Sequence, residues 1–104
     1  MKRLSNYEVK TLILCYGLEW AQQEFGLELE LEVNTFNKKH PELKEAINSL
    51  LLYDFIYLKE ILYNNEVISL LELTLPGRVF IDKFSKLTLP EQVKACKTGY
   101  DLEN

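Results

Sequence analysis

The chain has 104 residues, 47% of them hydrophobic, with 12 basic and 16 acidic side chains for a net charge of −4. That length and apolar share fit one compact domain with a core of its own. The acidic balance lacks the basic excess of a domain held by nonspecific phosphate attraction, which leaves a local basic face as the electrostatic route to DNA.

Two cysteines, Cys15 and Cys96, stand far apart in no zinc or redox spacing, and His40 is the only histidine. No adjacent acid or nucleophile gives His40 a triad, the glycines form no phosphate loop, and no catalytic, metal or cofactor site is expected. Lys2-Arg3 mimics a signal n-region, but the apolar run Thr11 to Leu18 is short and meets Glu19 and Trp20, which reads as helix. No stretch approaches the roughly 20 apolar residues of a membrane span. A reduced, cytoplasmic setting is expected.

In chain order, Ser5-Asn6-Tyr7-Glu8 is a capping box that opens a helix to about Phe25, closed by Gly26. Val9, Ile13, Tyr16 and Trp20 share one face, and Leu14, Leu18, Ala21 and Phe25 another. A surface that broad needs cover from two sides, by later elements or by a second chain. Gly26 to Val33 alternates leucine and valine with Glu28, Glu30 and Glu32, which predicts a strand with a solvated acidic face. Asn34 or Thr35 is the expected cap of a short helix through Lys39. Pro41 opens the next helix, to about Asp54, with Leu43, Ala46, Ile47, Leu50 and Leu51 as its buried stripe.

Ile56 to Leu73 reads as two zigzag strands around a turn at Asn64-Asn65, residues that tolerate positive φ. The register pairs Tyr63 with Glu66, Leu62 with Val67 and Leu58 with Leu71. One face, with Ile56, Leu58, Leu62, Val67, Leu71 and Leu73, is the predicted core face. The other, with Tyr57, Ile61, Tyr63, Ile68 and Leu70, is more apolar than a solvated face should be. Thr74-Leu75-Pro76 and Thr88-Leu89-Pro90-Glu91 start two further helices, and residues 98–104 are expected to fray. Cys96, near Lys94 and Lys97, is a candidate redox thiol, whereas Cys15 reads as a packed one.

The segment Leu50 to Phe84, with its phrase Leu73-Thr74-Leu75-Pro76-Gly77-Arg78, resembles the winged-helix superfamily, and MarR-like and PadR-like bacterial regulators in particular. The resemblance covers about residues 5–84. It implies an α+β, mostly helical winged helix-turn-helix in the order helix-strand-helix-helix-strand-strand-helix, with a C-terminal helix, all in one domain over residues 1–104. It further implies a dimeric transcriptional regulator whose second core helix enters the major groove of double-stranded DNA.

Carried over residue by residue, the DNA contacts would be Lys38 and Lys39 on phosphate and Lys44, Asn48 and Ser49 on bases. Glu42 and Glu45 oppose that assignment. The tip Tyr63-Asn64-Asn65-Glu66 lacks the basic residue usual in such wings, and Arg78 fits a helix anchor as well as a family mark. The alternative is a winged-helix protein-interaction module, a homodimer or an adaptor such as a phage or mobile-element accessory protein, with no DNA binding. Its interface would be Tyr57, Ile61, Tyr63, Ile68 and Leu70.

Overall fold

The computed structural model describes residues 1–26 and 28–103, with Glu28 described by its backbone alone. The molecule is α+β and mostly helical. Ser5 starts α1 (Asn6–Phe25) as its spacing requires. Its N–H donates to Glu8 Oε1 at 2.7 Å, and the Glu8 N–H donates to Ser5 Oγ at 3.1 Å, so two orphan donors are satisfied reciprocally. Gly26 ends the helix at φ +73°, a left-handed conformation open to glycine at little cost, and its N–H donates to the Gln22 carbonyl. Val9, Leu12 and Cys15 of α1 are buried, while Tyr16, Trp20 and Phe25 remain exposed. Later elements therefore cover the side of α1 that carries Val9, Leu12, Cys15 and half-buried Leu18 and Ala21, and leave the side with Tyr16 and Trp20, and Phe25 at its end, exposed.

The strand predicted over residues 26–33 does not form. Glu28–Leu31 is a 3₁₀ turn, and Glu32 makes a single antiparallel bridge to Leu70. Leu27 and the Glu28 side chain lie outside the described residues. Alternation alone cannot make a strand when the chain turns helical at the next residue, since a ladder needs a partner along its length. The glutamates serve other ends. Glu32, rather than Asn34 or Thr35, caps α2 (Val33–Lys39) by accepting from the Asn34 and Thr35 N–H groups at 2.7 and 3.0 Å. Glu30 holds Lys39 with both oxygens, at 2.6 and 2.7 Å.

Pro41–Leu43 forms a second 3₁₀ turn before α3 (Lys44–Leu52); of the predicted stripe, Leu43 of the turn and Ala46, Ile47 and Leu50 of the helix are buried, and Leu51 is half-buried against the core. The helix stops short of Asp54, which takes φ +65°. It leads into β2 (Ile56–Tyr63) and β3 (Glu66–Leu73), an antiparallel hairpin in the predicted register. Asn64 and Asn65 take φ +49° and +66°, as a two-residue hairpin turn requires.

Thr74 caps α4 (Leu75–Ser85), accepting from the Gly77 N–H at 3.3 Å and donating to the Asp54 carbonyl at 2.5 Å. Gly77 presses on the Phe55 backbone so closely that a Cβ would collide with the Phe55 carbonyl oxygen. Thr88 and Glu91 form the second capping box, opening α5 (Leu89–Thr98). Over residues 98–103 the segment expected to fray is instead held, and Asn104 lies outside the described residues. Tyr100–Asp101 (β4) pairs antiparallel with Arg3–Leu4 (β1), and the Leu102 N–H donates to the Lys2 carbonyl at 2.9 Å. Buried Leu4 and half-buried Tyr100 join the core, which fixes both chain ends. That core gathers α1, Phe36, the α3 stripe, the hairpin base, Phe80 and Ala95.

Candidate functional site

The helix pair α2–α3 presents the residues assigned to DNA. Lys38, Lys44 and Asn48 are exposed, and Ser49 is half-buried. Lys39 is exposed but held by Glu30, so its charge is already matched within the molecule. His40 lies against the Phe36 ring, with centroids 4.9 Å apart and Nδ1 3.9 Å from Glu42 Oε1.

Lys44 and Ser49 also line a hollow of about 580 Å³ between α3 and the start of α1, together with Glu8, Glu42 and Glu45. Three carboxylates against one ammonium repel phosphate. Arg3 does not extend a basic face from the N-terminus toward these lysines; it donates to the Thr98 carbonyl at 2.6 Å. Arg78 anchors two helices. Its guanidinium meets Glu19 of α1 in a fork at 2.8 and 3.1 Å, and that hydrogen-bonded partner raises its pKa.

The hairpin divides along its length. At its base, Ile56, Leu71 and Leu73 are buried in the core. Leu58, Leu62 and Val67 share their face but not their fate: Leu62 is 72% exposed and Val67 69%. Eight-residue strands span about 26 Å and outrun the helices that could cover them. The predicted core face is thus a core face only at its foot. Strand length was the signal in the sequence that could have shown this.

On the opposite face, Tyr57 is exposed and Ile61, Tyr63 and Ile68 are half-buried. Leu70, expected on that surface, is only 7% exposed. It bridges Glu32 and shares a crevice with Leu31, so it is removed from any outer face. The correction follows from the Glu28–Leu31 turn folding over the strand where Leu70 stands. Lys59 lies on this face, 3.8 Å from Glu72 Oε2. The Glu72 carboxylate, hydrogen-bonded to the Tyr57 phenol, raises the pKa of that phenol.

Cys15 is buried, and desolvation with a further push from Glu19 moves its thiol up to about 12. It is a packed thiol, as its apolar neighbours predicted. Cys96 is half-buried. Among the described residues, no group of His, Cys, Asp and Glu could hold a metal ion, and no helix is long and apolar enough to cross a membrane. Comparison with protein-family models, with curated proteins and with solved structures returns no match for this chain.

Proposed function

We propose that this chain is a winged-helix protein-interaction module that pairs with a second copy of itself through the tyrosine-bearing face of its hairpin. Support for the winged-helix part is the order of helix, turn, helix, hairpin and helix, together with the bridge from Glu32 to Leu70 where the extra strand was expected. The observation that carries the interaction reading is the projecting outer hairpin, apolar on both faces. A two-stranded ribbon standing free in water is marginal by itself, so a covering partner stabilises it.

The second copy is favoured by charge. Cross-strand pairing puts Ile61 opposite Ile68 and Tyr63 opposite Glu66, with Lys59 four residues, about 13 Å, nearer the base. A twofold axis lying across the strands at the isoleucine pair sets Lys59 of each copy over the Tyr63–Glu66 pair of the other, with Glu66 one strand spacing, about 5 Å, to the side and within reach of the lysine. The face is self-complementary in both apolarity and sign. The reverse face carries Glu60 between Leu58 and Leu62, which such an axis would set against its like.

Light scattering checks this. The wild type is expected to be a dimer, and Tyr63→Glu or Ile68→Asp a monomer. Lys59→Glu alone and Glu66→Lys alone should each weaken the dimer, and the double reversal should restore it. A wild-type monomer at millimolar concentration, or a double reversal no better than either single change, would defeat the proposal.

A second reading, a DNA-binding transcriptional regulator, rests on exposed Lys38, Lys44 and Asn48 at the end of α2 and on α3. A gel shift at two salt concentrations separates the two. Binding through these cations weakens steeply with salt and is reduced by Lys44→Ala. The hairpin reading expects no duplex shift at low salt.

A further inference from the structure

A second apolar surface, built from none of the hairpin residues, lies between α1, the end of α4 and α5. Ile13, Phe84, Leu89, Val93 and Cys96 line an open groove of about 460 Å³. Its polar lining is Gln92 and two lysines, Lys10 and Lys97. Leu89 is 72% exposed and Val93 44%, four residues apart on one face of α5. Gln92 Nε2 donates to the Phe84 carbonyl at 3.1 Å, which ties the two walls together.

Charge selects the occupant. In a chain with 16 acidic and 12 basic side chains, this groove has two ammonium groups and no carboxylate along its lining. A second copy placed here about a twofold axis would set Lys10 and Lys97 against themselves, and like charges across an interface disfavour the pairing. An acidic partner meets the opposite sign.

Gly17 selects the shape. It stands in the interior of α1, one turn beyond Ile13 on the same side, where glycine weakens a helix relative to alanine. Nothing inside the molecule explains its lack of a side chain, since a Cβ there would meet nothing within 4 Å. Its φ is not in the left-handed region either. A bare patch of helix beside an apolar groove lets a second helix approach closely, at the short end of the 8–10 Å range of packed axes.

We infer that this groove receives an acidic amphipathic helix of a partner protein, with its apolar face on Ile13, Phe84, Leu89 and Val93, its carboxylates on Lys10 and Lys97, and its backbone over Gly17. The α5 wall is ten residues, about 15 Å, so it matches about three turns of the incoming helix. This surface is separate from the hairpin and stands or falls independently of it.

The test uses the full chain and a fluorescent stapled helix of about 16 residues, with leucines at i, i+4 and i+7 flanked by glutamates, beside the same peptide with lysines for glutamates. Anisotropy at low salt should show the glutamate peptide binding about tenfold tighter or better, and Lys10→Glu with Lys97→Glu should invert that preference. Gly17→Leu should weaken the glutamate peptide about tenfold or more. The same change should leave the urea midpoint unchanged or raised, because leucine is the better helix former, so lost binding is not lost folding. The inference is overturned if neither peptide binds at millimolar concentration, if the two bind equally, or if Gly17→Leu is without effect. It is also overturned if light scattering shows a dimer that Gly17→Leu abolishes and Tyr63→Glu does not, since a second copy would then own the groove.

Discussion

The base and the tip of the hairpin are made of the same alternating residues and end in opposite surroundings. Leu71 pairs with Leu58 and is 1% exposed; Val67 pairs with Leu62 and is 69% exposed. The ladder is continuous from Ile56 to Leu73, so backbone pairing does not distinguish the two ends. What differs is the second layer. Helices α1 and α3 and the Phe55 turn close over the base, and none of them reaches the end of the ribbon. A strand pattern states which side chains share a face and leaves open how far along the strand that face is covered.

The largest effect expected from this contrast is at the base. Leu71→Ala should lower stability by about 2–5 kcal/mol, because it opens a cavity in a packed core; urea unfolding followed by circular dichroism measures it. Next comes Gly77→Ala, which forces a methyl group against the Phe55 carbonyl and requires α4 to shift, at about 1–3 kcal/mol by the same measurement. At the tip, Leu62→Asp should change the stability of the isolated chain by less than about 0.5 kcal/mol, as is usual for a surface change. A loss there as large as that of Leu71→Ala would mean that the tip is packed in solution and would end the comparison.

The smallest effect is a titration. Tyr57 should lose its proton at higher pH than an ordinary tyrosine, since the Glu72 carboxylate accepts its hydrogen bond and repels the phenolate. Glu72→Gln keeps an acceptor but removes the charge, so the midpoint should fall back toward the ordinary value. Absorbance of the phenolate against pH reads this directly. An unchanged midpoint in Glu72→Gln would remove the charge as the cause.

Local chemistry was legible where a few neighbouring residues complete it. Ser5 with Glu8, Thr88 with Glu91, Thr74 with Gly77, Gly26 as a stop and Asn64-Asn65 as a turn all do so within four positions. The acidic run Glu28, Glu30 and Glu32 misled because its alternation was read as a face. Glu30 is drawn to a lysine nine residues on, and Glu32 caps the next helix. Leu70 misled for a related reason, since the turn that covers it comes from residues far away in the chain. The candidate surfaces were half legible. The tyrosine face was visible as apolar alternation, whereas the groove between α1 and α5 joins residues about eighty positions apart and has no local signature.

By itself, then, the sequence determined the helix starts and stops, the hairpin and its register, because these depend on hydrogen bonds and backbone angles set within a few residues. Tertiary structure alone decided which apolar side chains found cover. It also decided which lysines were left without an internal carboxylate, and that Tyr100–Asp101 would be pinned to Arg3–Leu4. Burial and charge matching depend on what distant segments bring to the same place, and a linear pattern carries no record of that distance.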